Sequence, residues 1–176
     1  INIQTRHIKS INKDFVLSVA KEFHFQGIDI YIEDSVMDLF TAYKQHTKQD
    51  REGCGILMCS VDKNNSDIYI NYATSPQTHD VRRRAYFFLK DKRHQERLDQ
   101  VHKESKGTIF LCGTWHSHPE DKPKASELDV SEWKKFINGN SGVIQFFYFI
   151  IVGRKEIALY TYAEKDIKLI SQRVKK

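Results

Sequence analysis

Two histidines close an apolar stretch of the chain and open a polar loop, GTWHSHPEDKPKASELD, which covers residues 113–129. The apolar run at residues 108–114 predicts a short strand, so His116 and His118 lie two residues apart at its end. Because side chains at positions i and i+2 of a strand point to the same face, these two imidazoles can bind one metal ion. Catalytic zinc sites use three protein ligands and keep one position open for water.

Asp129 is the predicted third ligand. Pro119 and Pro123 predict a stiff, non-helical loop that folds back, after which Asp129 lies in the first turn of a helix. Ser126 and Asp129 also have the spacing of a capping box, with Ser126 as the N-cap. The two interpretations are compatible, because the cap would hold Asp129 in place. The alternative is a pair of surface histidines beside an ordinary helix cap, with no metal.

The N-terminal part of the chain predicts a β-hairpin. Residues 15–25 alternate apolar and polar side chains, which is typical of a strand. Gln26 and Gly27 predict a tight turn into a second strand at residues 28–32. Asp34 or Ser35 is then expected to cap a helix.

The rest of the chain predicts a mixture of strands and helices. Strands are expected at residues 55–61, 68–73, 143–152 and 157–162, and helices at residues 93–105 and 126–137. Between them, residues 75–92 form a long, charged connection that could supply an edge for strand-like peptide binding. This order of elements predicts an α+β fold, or a mixed sheet with helices on its faces.

The composition excludes several classes of protein. A chain of 176 residues fits one domain, and 40% hydrophobic residues are too many for a disordered chain. The sequence contains no window of 18 uncharged apolar residues, so no membrane segment is expected. The net charge of +5 is too common to indicate nucleic-acid binding. We interpret Arg82, Arg83 and Arg84 as a solvated face or a protein-binding edge, rather than as a site that binds the phosphates of a nucleic acid.

Cysteines, tryptophans and the remaining histidines carry weaker signals. Cys54, Cys59 and Cys112 form no CxxC pair and no disulfide framework, which indicates a reducing compartment. Trp115 and Trp133 flank the histidine motif and are expected to pack in the core. The other histidines have no partner at ligand spacing, and we expect them on the surface: His7, His24, His46, His79, His94 and His102.

The pattern His116, Ser117, His118, seven residues, Ser126, two residues, Asp129 resembles the JAMM motif of MPN-domain metalloproteases without a gap. The resemblance covers roughly residues 28–163. It implies a curved central β-sheet flanked by helices, similar to the cytidine-deaminase fold. It also implies a single domain over residues 1–176, in which residues 1–27 form a lead-in that contributes a strand of the hairpin.

The resemblance also implies the roles of the site residues. In that family a glutamate precedes the motif by tens of residues, at the start of a strand and often before glycines, and Glu52 in EGCGIL fits. His116, His118 and Asp129 would bind Zn²⁺, while Glu52 would take a proton from water and return it to the leaving amine. Ser126 would donate a hydrogen bond to the oxyanion. Three competing upstream acids remain: Glu33, Asp38 and Asp50.

Two longer segments, TSPQTHDVRRRAYFF and FLCGTWHSHPEDKPKASELDVSEW, are similar to bacterial JAMM proteins of anti-phage operons. Those operons also encode E1- and E2-like enzymes and often a cGAS-like nucleotidyltransferase. The similarity implies a cytoplasmic zinc isopeptidase that acts on a protein conjugated through its extended C-terminal tail, with those enzymes as partners. An alternative is that the chain is the similar JAMM enzyme of related bacterial operons that encode a ubiquitin-like protein. A peptidase that trims a carrier-protein or phage-type tail and a non-catalytic MPN scaffold are the other candidates.

Overall fold

The computed structural model describes residues 19–64 and 66–170 and builds them around one eight-stranded sheet. In chain order the elements are β1 (Val19–Phe25), β2 (Ile28–Glu33), α1 (Asp34–Ala42), β3 (Cys54–Val61), β4 (Ile68–Ala73), β5 (Val81–Arg83), β6 (Tyr86–Phe88), α2 (Arg93–Glu104), β7 (Phe110–Ser117), α3 (Glu127–Asn140), β8 (Tyr148–Val152), β9 (Ile157–Ala163) and β10 (Asp166–Ile170).

The large sheet is mixed and curved. Its strand order is β1-β2-β4-β3-β7-β8-β9-β10, and β5 and β6 form a separate two-stranded sheet. The pairs β2–β4 and β7–β8 are parallel, and the other pairs are antiparallel. The two edge strands, β1 and β10, approach each other. In the turn beside β1, the side-chain amide of Gln26 donates a hydrogen bond to the Glu164 carboxylate over 3.3 Å. This curved sheet with helices packed on it confirms the predicted α+β fold.

The hairpin of β1 and β2 turns at Gln26 and Gly27, whose φ angles of 48° and 82° are both positive. Such a turn matches the twist of the two strands, and glycine adopts it without strain. Residues 15–18 of the predicted first strand lie outside the described residues. The expected cap at Asp34 or Ser35 is wrong, because β2 runs directly into α1 and Glu33 is the N-cap.

The central strands are buried on both faces. All eight residues of β3 and all five of β8 are buried, as expected where helices cover both sides of a sheet. Trp115 lies in the main core, 4.9 Å from the Phe40 ring, and Trp133 stacks on Phe149 at 4.8 Å on the α3 side. The prediction of core packing is confirmed for both tryptophans.

The three helices among the described residues have 9, 12 and 14 residues. None of the helices that the structure describes is long and apolar enough to cross a membrane. Helix α3 continues to Asn140, beyond the predicted end at residue 137. The Asn140 carbonyl then accepts hydrogen bonds from the amides of Val143 and Ile144. Because this turn uses residues 141–147, β8 begins at Tyr148 rather than at residue 143.

Two further features differ from the sequence-based expectation. The long connection contains the β5–β6 hairpin, and a tenth strand, β10, follows β9.

Cys59 and Cys112 form a disulfide between β3 and β7, with Cα atoms 5.9 Å apart, so the expectation of unpaired cysteines is wrong for this pair. The two cysteines are 53 residues apart in the chain, and only the pairing of β3 with β7 brings them together.

Gly113 tests the contact between β7 and β8. A Cβ atom at this position would overlap the carbonyl oxygen of Tyr148 on β8. We therefore expect Gly113→Ala to lower the free energy of unfolding by ~1–3 kcal/mol, measured by urea titration. Gly139 is the matched control, because it lies exposed in α3 with open space around its Cα. There the same change should stabilise the protein by ~0.5–1 kcal/mol through helix propensity. Equal effects at the two sites would contradict the described packing.

Candidate metal centre and active site

The antiparallel pairing of β3 with β7 sets the positions of the site residues. Cys54 lies opposite His116, and the Ser117 amide donates to the Gly53 carbonyl over 2.9 Å. The Gly53 amide in turn donates to the Ser117 hydroxyl over 2.7 Å. Glu52 immediately precedes Gly53, so its position is tied through the backbone to the strand that carries the histidines.

The two glycines after Glu52 allow this close packing. A Cβ atom on Gly53 would collide with Tyr43 and the Trp115 ring. A Cβ atom on Gly55 would collide with the Thr74 carbonyl oxygen and the indole nitrogen of Trp115. The glycines therefore admit the Trp115 side chain directly behind the site.

His116, His118 and Asp129 come together at the end of β7. Their ligand atoms all lie within 4.8 Å of one another, and all three residues are buried. The two Nε2 atoms are 3.0 Å apart, and the Asp129 oxygens lie 3.1 Å from His116 Nε2 and 3.4 Å from His118 Nε2. The His118 amide donates to the Val152 carbonyl on β8, which fixes the backbone at the second histidine.

These separations fit a tetrahedral zinc ion. Tetrahedral angles and bonds of about 2.0–2.1 Å place neighbouring ligand atoms about 3.3 Å apart. The distance between the two Nε2 atoms and the distances from His116 to Asp129 Oδ1 and from His118 to Asp129 Oδ2 lie on either side of that value. Two imidazole nitrogens and one carboxylate oxygen are also the ligand types that catalytic zinc uses.

The capping box at the start of α3 holds Asp129 against the histidines. The Ser126 hydroxyl accepts from the Asp129 amide over 3.1 Å, and the Asp129 carboxylate accepts from the Ser126 amide over 2.7 Å. The Ser126 hydroxyl also lies 2.7 Å from the same carboxylate. Burial raises the pKa of Asp129, but hydrogen bonds from His116 and His118 outweigh it and hold that pKa below its usual range.

Glu52 lies buried beside this cluster, with 3% of its surface exposed. Burial, and to a lesser degree the charge of Asp129, raises the pKa of the Glu52 carboxyl to about 8. The competing acids lie elsewhere. Glu33 accepts a hydrogen bond from Asn71 over 2.8 Å, Asp38 is exposed on α1, and Asp50 accepts from the amides of two neighbouring loop residues.

A pocket of about 250 Å³ opens over the cluster. One wall is the β5–β6 hairpin and the other is the first half of α3. The Phe87 ring of the hairpin stacks on His116 with ring centres 4.9 Å apart. The pocket is lined by Glu52, Ala85, Tyr86, Phe87, His118, Pro119, Glu120, Ser126, Leu128, Asp129, Glu132 and Trp133.

Two of the three arginines bind the β5–β6 hairpin to the loop that precedes β3. Arg82 donates to the Glu52 carbonyl and lies over the Tyr43 ring at 5.6 Å, and Arg84 donates to the Thr47 carbonyl over 2.7 Å. The expectation of a solvated or partner-binding face is therefore wrong for Arg82, which is half-buried and binds a backbone carbonyl of the neighbouring loop. Arg84 is exposed, as predicted, although it also binds such a carbonyl. Arg83 is exposed, as predicted.

Sequence reasoning missed two residues around the site. Gln45 is 1% exposed and joins three segments, because its amide donates to the carbonyls of Asp50 and Arg84 while its oxygen accepts from Ser117. It lies in a polar stretch with no periodic signal. Phe87 lies in the charged connection and was not recognised as a site residue. Its partial burial between the exposed Tyr86 and Phe88 is the alternation typical of a short strand.

Comparison with known proteins supplies the family. Residues 34–164 match the family described as prokaryotic homologues of the JAB domain. The chain belongs to this family. The predicted resemblance to JAMM/MPN-domain proteins is thereby confirmed.

Three similar proteins carry the name CD-NTase/cGAS isopeptidase. The Escherichia coli protein is 28% identical over 82% of this chain and 89% of its own length. The Vibrio cholerae protein is 27% identical over 81% of this chain and 85% of its own length. The Pseudomonas aeruginosa protein is 34% identical over 60% of this chain and 66% of its own length. A solution structure from Desulfitobacterium hafniense aligns with a TM-score of 0.48 at 18% identity, covering 80% of this chain and 88% of that chain.

The ligand geometry predicts one zinc ion per chain. Protein purified without added metal should contain close to one equivalent of zinc by elemental analysis, and His118→Ala should lose it because one of three ligands is removed. His24→Ala is the matched control, because His24 is an exposed histidine that bonds only Asp29 among the contacts described. A wild-type protein that neither contains nor takes up a transition metal would contradict the assignment.

Proposed function

We propose that this protein is a zinc-dependent isopeptidase. It would hydrolyse the bond between the C-terminal tail of a conjugated protein and the amine of its target. The observation that carries the proposal is the cluster of His116, His118 and Asp129 beside a buried Glu52. Glu52, His118 and Asp129 line one pocket. The isopeptidase names of the Escherichia coli and Vibrio cholerae relatives, which match most of their own length, support the same reaction.

Glu52 is the proposed general base and acid. When bound, zinc supplies Lewis acidity, which acidifies water and polarises a carbonyl oxygen. Glu52 lines the pocket next to the proposed ligands, so its carboxylate can take the proton of the attacking water and return it to the leaving amine. Burial raises the pKa of the Glu52 carboxyl above its usual range, and a carboxyl with a raised pKa is better suited both to take a proton and to return it.

Ser126 is the proposed oxyanion donor. Its hydroxyl lies at the pocket wall and bonds Asp129, so the capping box fixes its position relative to the ligands. To serve the reaction, the hydroxyl proton rotates from Asp129 toward the substrate oxygen as negative charge develops there. The helix N-terminus behind Ser126 adds a favourable dipole for that charge.

The pocket walls suit an extended peptide. Tyr86 and Phe87 of β6 stand on one side, and Leu128 of α3 stands on the other. Leu128 and Tyr86 are large apolar side chains that are 48% and 41% exposed, so they offer contact area to a tail. A β-hairpin beside a catalytic cluster can also add a substrate strand along its free edge. These features support the proposal that residues 75–92 receive the tail of the conjugated protein.

The relatives' names point to the partner. We propose that a CD-NTase/cGAS-like protein is the conjugated substrate. From the resemblance to JAMM proteins of bacterial anti-phage operons, we also propose that E1- and E2-like enzymes form the bond in the cytoplasm. The alternative enzyme, a peptidase that trims a carrier-protein or phage-type tail, would use the same residues on another substrate. A non-catalytic scaffold is disfavoured, because the proposed ligands and the proposed base are all present.

Glu52→Gln separates the base from the ligands. The variant should keep zinc and the fold, because the ligands are untouched and the shape is conserved. Its turnover should fall by about 10²–10⁴-fold, the usual effect of losing a general acid–base group. Zinc content, Tm and turnover are measured together, with Asp38→Asn as the control because Asp38 is an exposed acid on α1.

Two results would contradict the assignment. Turnover at the wild-type rate in Glu52→Gln would exclude Glu52 as the base. Loss of zinc in this variant, as in His118→Ala, would make Glu52 a ligand and the three-ligand site wrong.

The substrate proposal predicts a single cleavage position. A test protein joined through its extended C-terminal tail to a lysine amine should be cut after the last tail residue, because the pocket opens beside the proposed ligands and accepts a tail rather than a folded surface. Mass spectrometry of the products identifies the bond. Cleavage at scattered internal sites would indicate a general protease, and cleavage of linear tails alone would favour the trimming peptidase.

A further inference from the structure

His94 is buried at the base of the β5–β6 hairpin, although the sequence predicts a surface histidine. Its side chain is 7% exposed and the side chain of its partner, Asp80, is fully buried. Among the other histidines, His24, His46 and His79 are exposed as predicted, His102 is half-buried, and His7 lies outside the described residues.

Asp80 ties both ends of the hairpin segment together. One carboxylate oxygen accepts from the amides of Lys90 and Asp91, and the other accepts from the amide of Gln77 and from His94 Nε2 at 2.8 Å. The Asp91 carboxylate makes the reciprocal connection by accepting from the amide of His79 over 2.9 Å. The two acids therefore cross-link the incoming and outgoing limbs of the segment that carries β5 and β6.

His94 joins this clamp to the sheet. Its Nδ1 atom lies 2.6 Å from the Thr74 hydroxyl, which accepts a hydrogen bond from the Ile56 amide on β3. The Thr74 carbonyl accepts from the indole of Trp115 on β7, next to His116. The clamp is thus linked by hydrogen bonds to both strands that hold the candidate site.

A neutral imidazole satisfies every partner in this series. The Ile56 amide donates to the Thr74 oxygen, and the Thr74 hydroxyl donates to His94 Nδ1. His94 Nε2–H then donates to the Asp80 carboxylate, which has no proton to give. Each donor faces an acceptor, so replacing His94 by an apolar residue leaves the buried Asp80 and Thr74 each without one partner.

We propose that His94, through Asp80, is a positioning residue that fixes the hairpin over the active site and so determines how tightly the enzyme holds the substrate tail. The hairpin carries Phe87, which stacks on His116, and Tyr86, which lines the pocket. His94 itself is not among the residues that line that pocket. The effect on the tail rests on the proposed isopeptidase function, whereas the effect on the hairpin does not.

Steady-state kinetics test the effect on the tail. With a tail-linked protein as substrate, His94→Ala should raise KM about tenfold, as expected for one lost buried hydrogen bond, and change kcat by less than about threefold. His94→Gln should recover most of the KM, because its side-chain amide offers one donor and one acceptor. His102→Ala is the matched control: His102 lies on the same helix and bonds the Ile109 carbonyl instead. A KM that stays at the wild-type value in folded His94→Ala would overturn the proposal, as would an equal rise in the control.

Hydrogen exchange tests the hairpin without any substrate. In His94→Ala the amides of residues 81–88 should exchange at least about tenfold faster, while those of β8 and β9 keep their wild-type protection and zinc content is unchanged. If the alanine variant does not fold, the same comparison is made between His94→Gln and Asp80→Asn, of which only the second should loosen the hairpin. Wild-type exchange at residues 81–88 in the folded variants would overturn the clamp. If the clamp is found but the wild-type enzyme cleaves no tail-linked protein, the proposed function fails and the positioning of the hairpin stands.

Discussion

The pairing of β3 with β7 is the interaction on which the site depends. It places Cys54 opposite His116 and so brings Glu52, which precedes β3, to the strand end that carries the histidines. These residues are far apart in the chain, and a slip of one residue would turn both histidines to the opposite face of the sheet. Gly53 and Gly55 permit this close pairing, because a Cβ atom would collide with Tyr43 at the first position and with Thr74 and the Trp115 indole at the second.

A second layer of contacts closes the pocket from outside the sheet. The hairpin is held at its tip by Arg82 and Arg84, which bind backbone carbonyls of the loop before β3, and at its base by Asp80 and Asp91. Gln45 connects that loop to Ser117 between the two histidines. These polar contacts together orient the β5–β6 hairpin over the proposed metal ligands.

Local sequence patterns predicted the proposed metal ligands, whereas the residues brought to the site by long-range contacts were harder to predict. His116 and His118 follow from strand alternation, and Asp129 follows from the cap spacing of a helix. Glu52 needed the family resemblance, because nothing local links it to a strand about 60 residues away. The burial of His94 was missed for a different reason. His94 shares one face of α2 with the buried Leu98 and Val101, and this spacing favours burial. The many charged residues of the helix made that apolar face hard to recognise. The hairpin was missed because its strands have only three residues each.

X-ray absorption spectroscopy of the zinc-loaded protein tests whether two histidines and one carboxylate bind the metal while Glu52 stays free. We predict two imidazole ligands at about 2.0–2.1 Å and oxygen ligands at about 2.0–2.2 Å, with the same spectrum for wild type and Glu52→Gln. The buried thiol of Cys54 lies opposite His116 on the neighbouring strand. A sulfur ligand at about 2.3 Å, or a spectrum that changes in Glu52→Gln, would contradict the account.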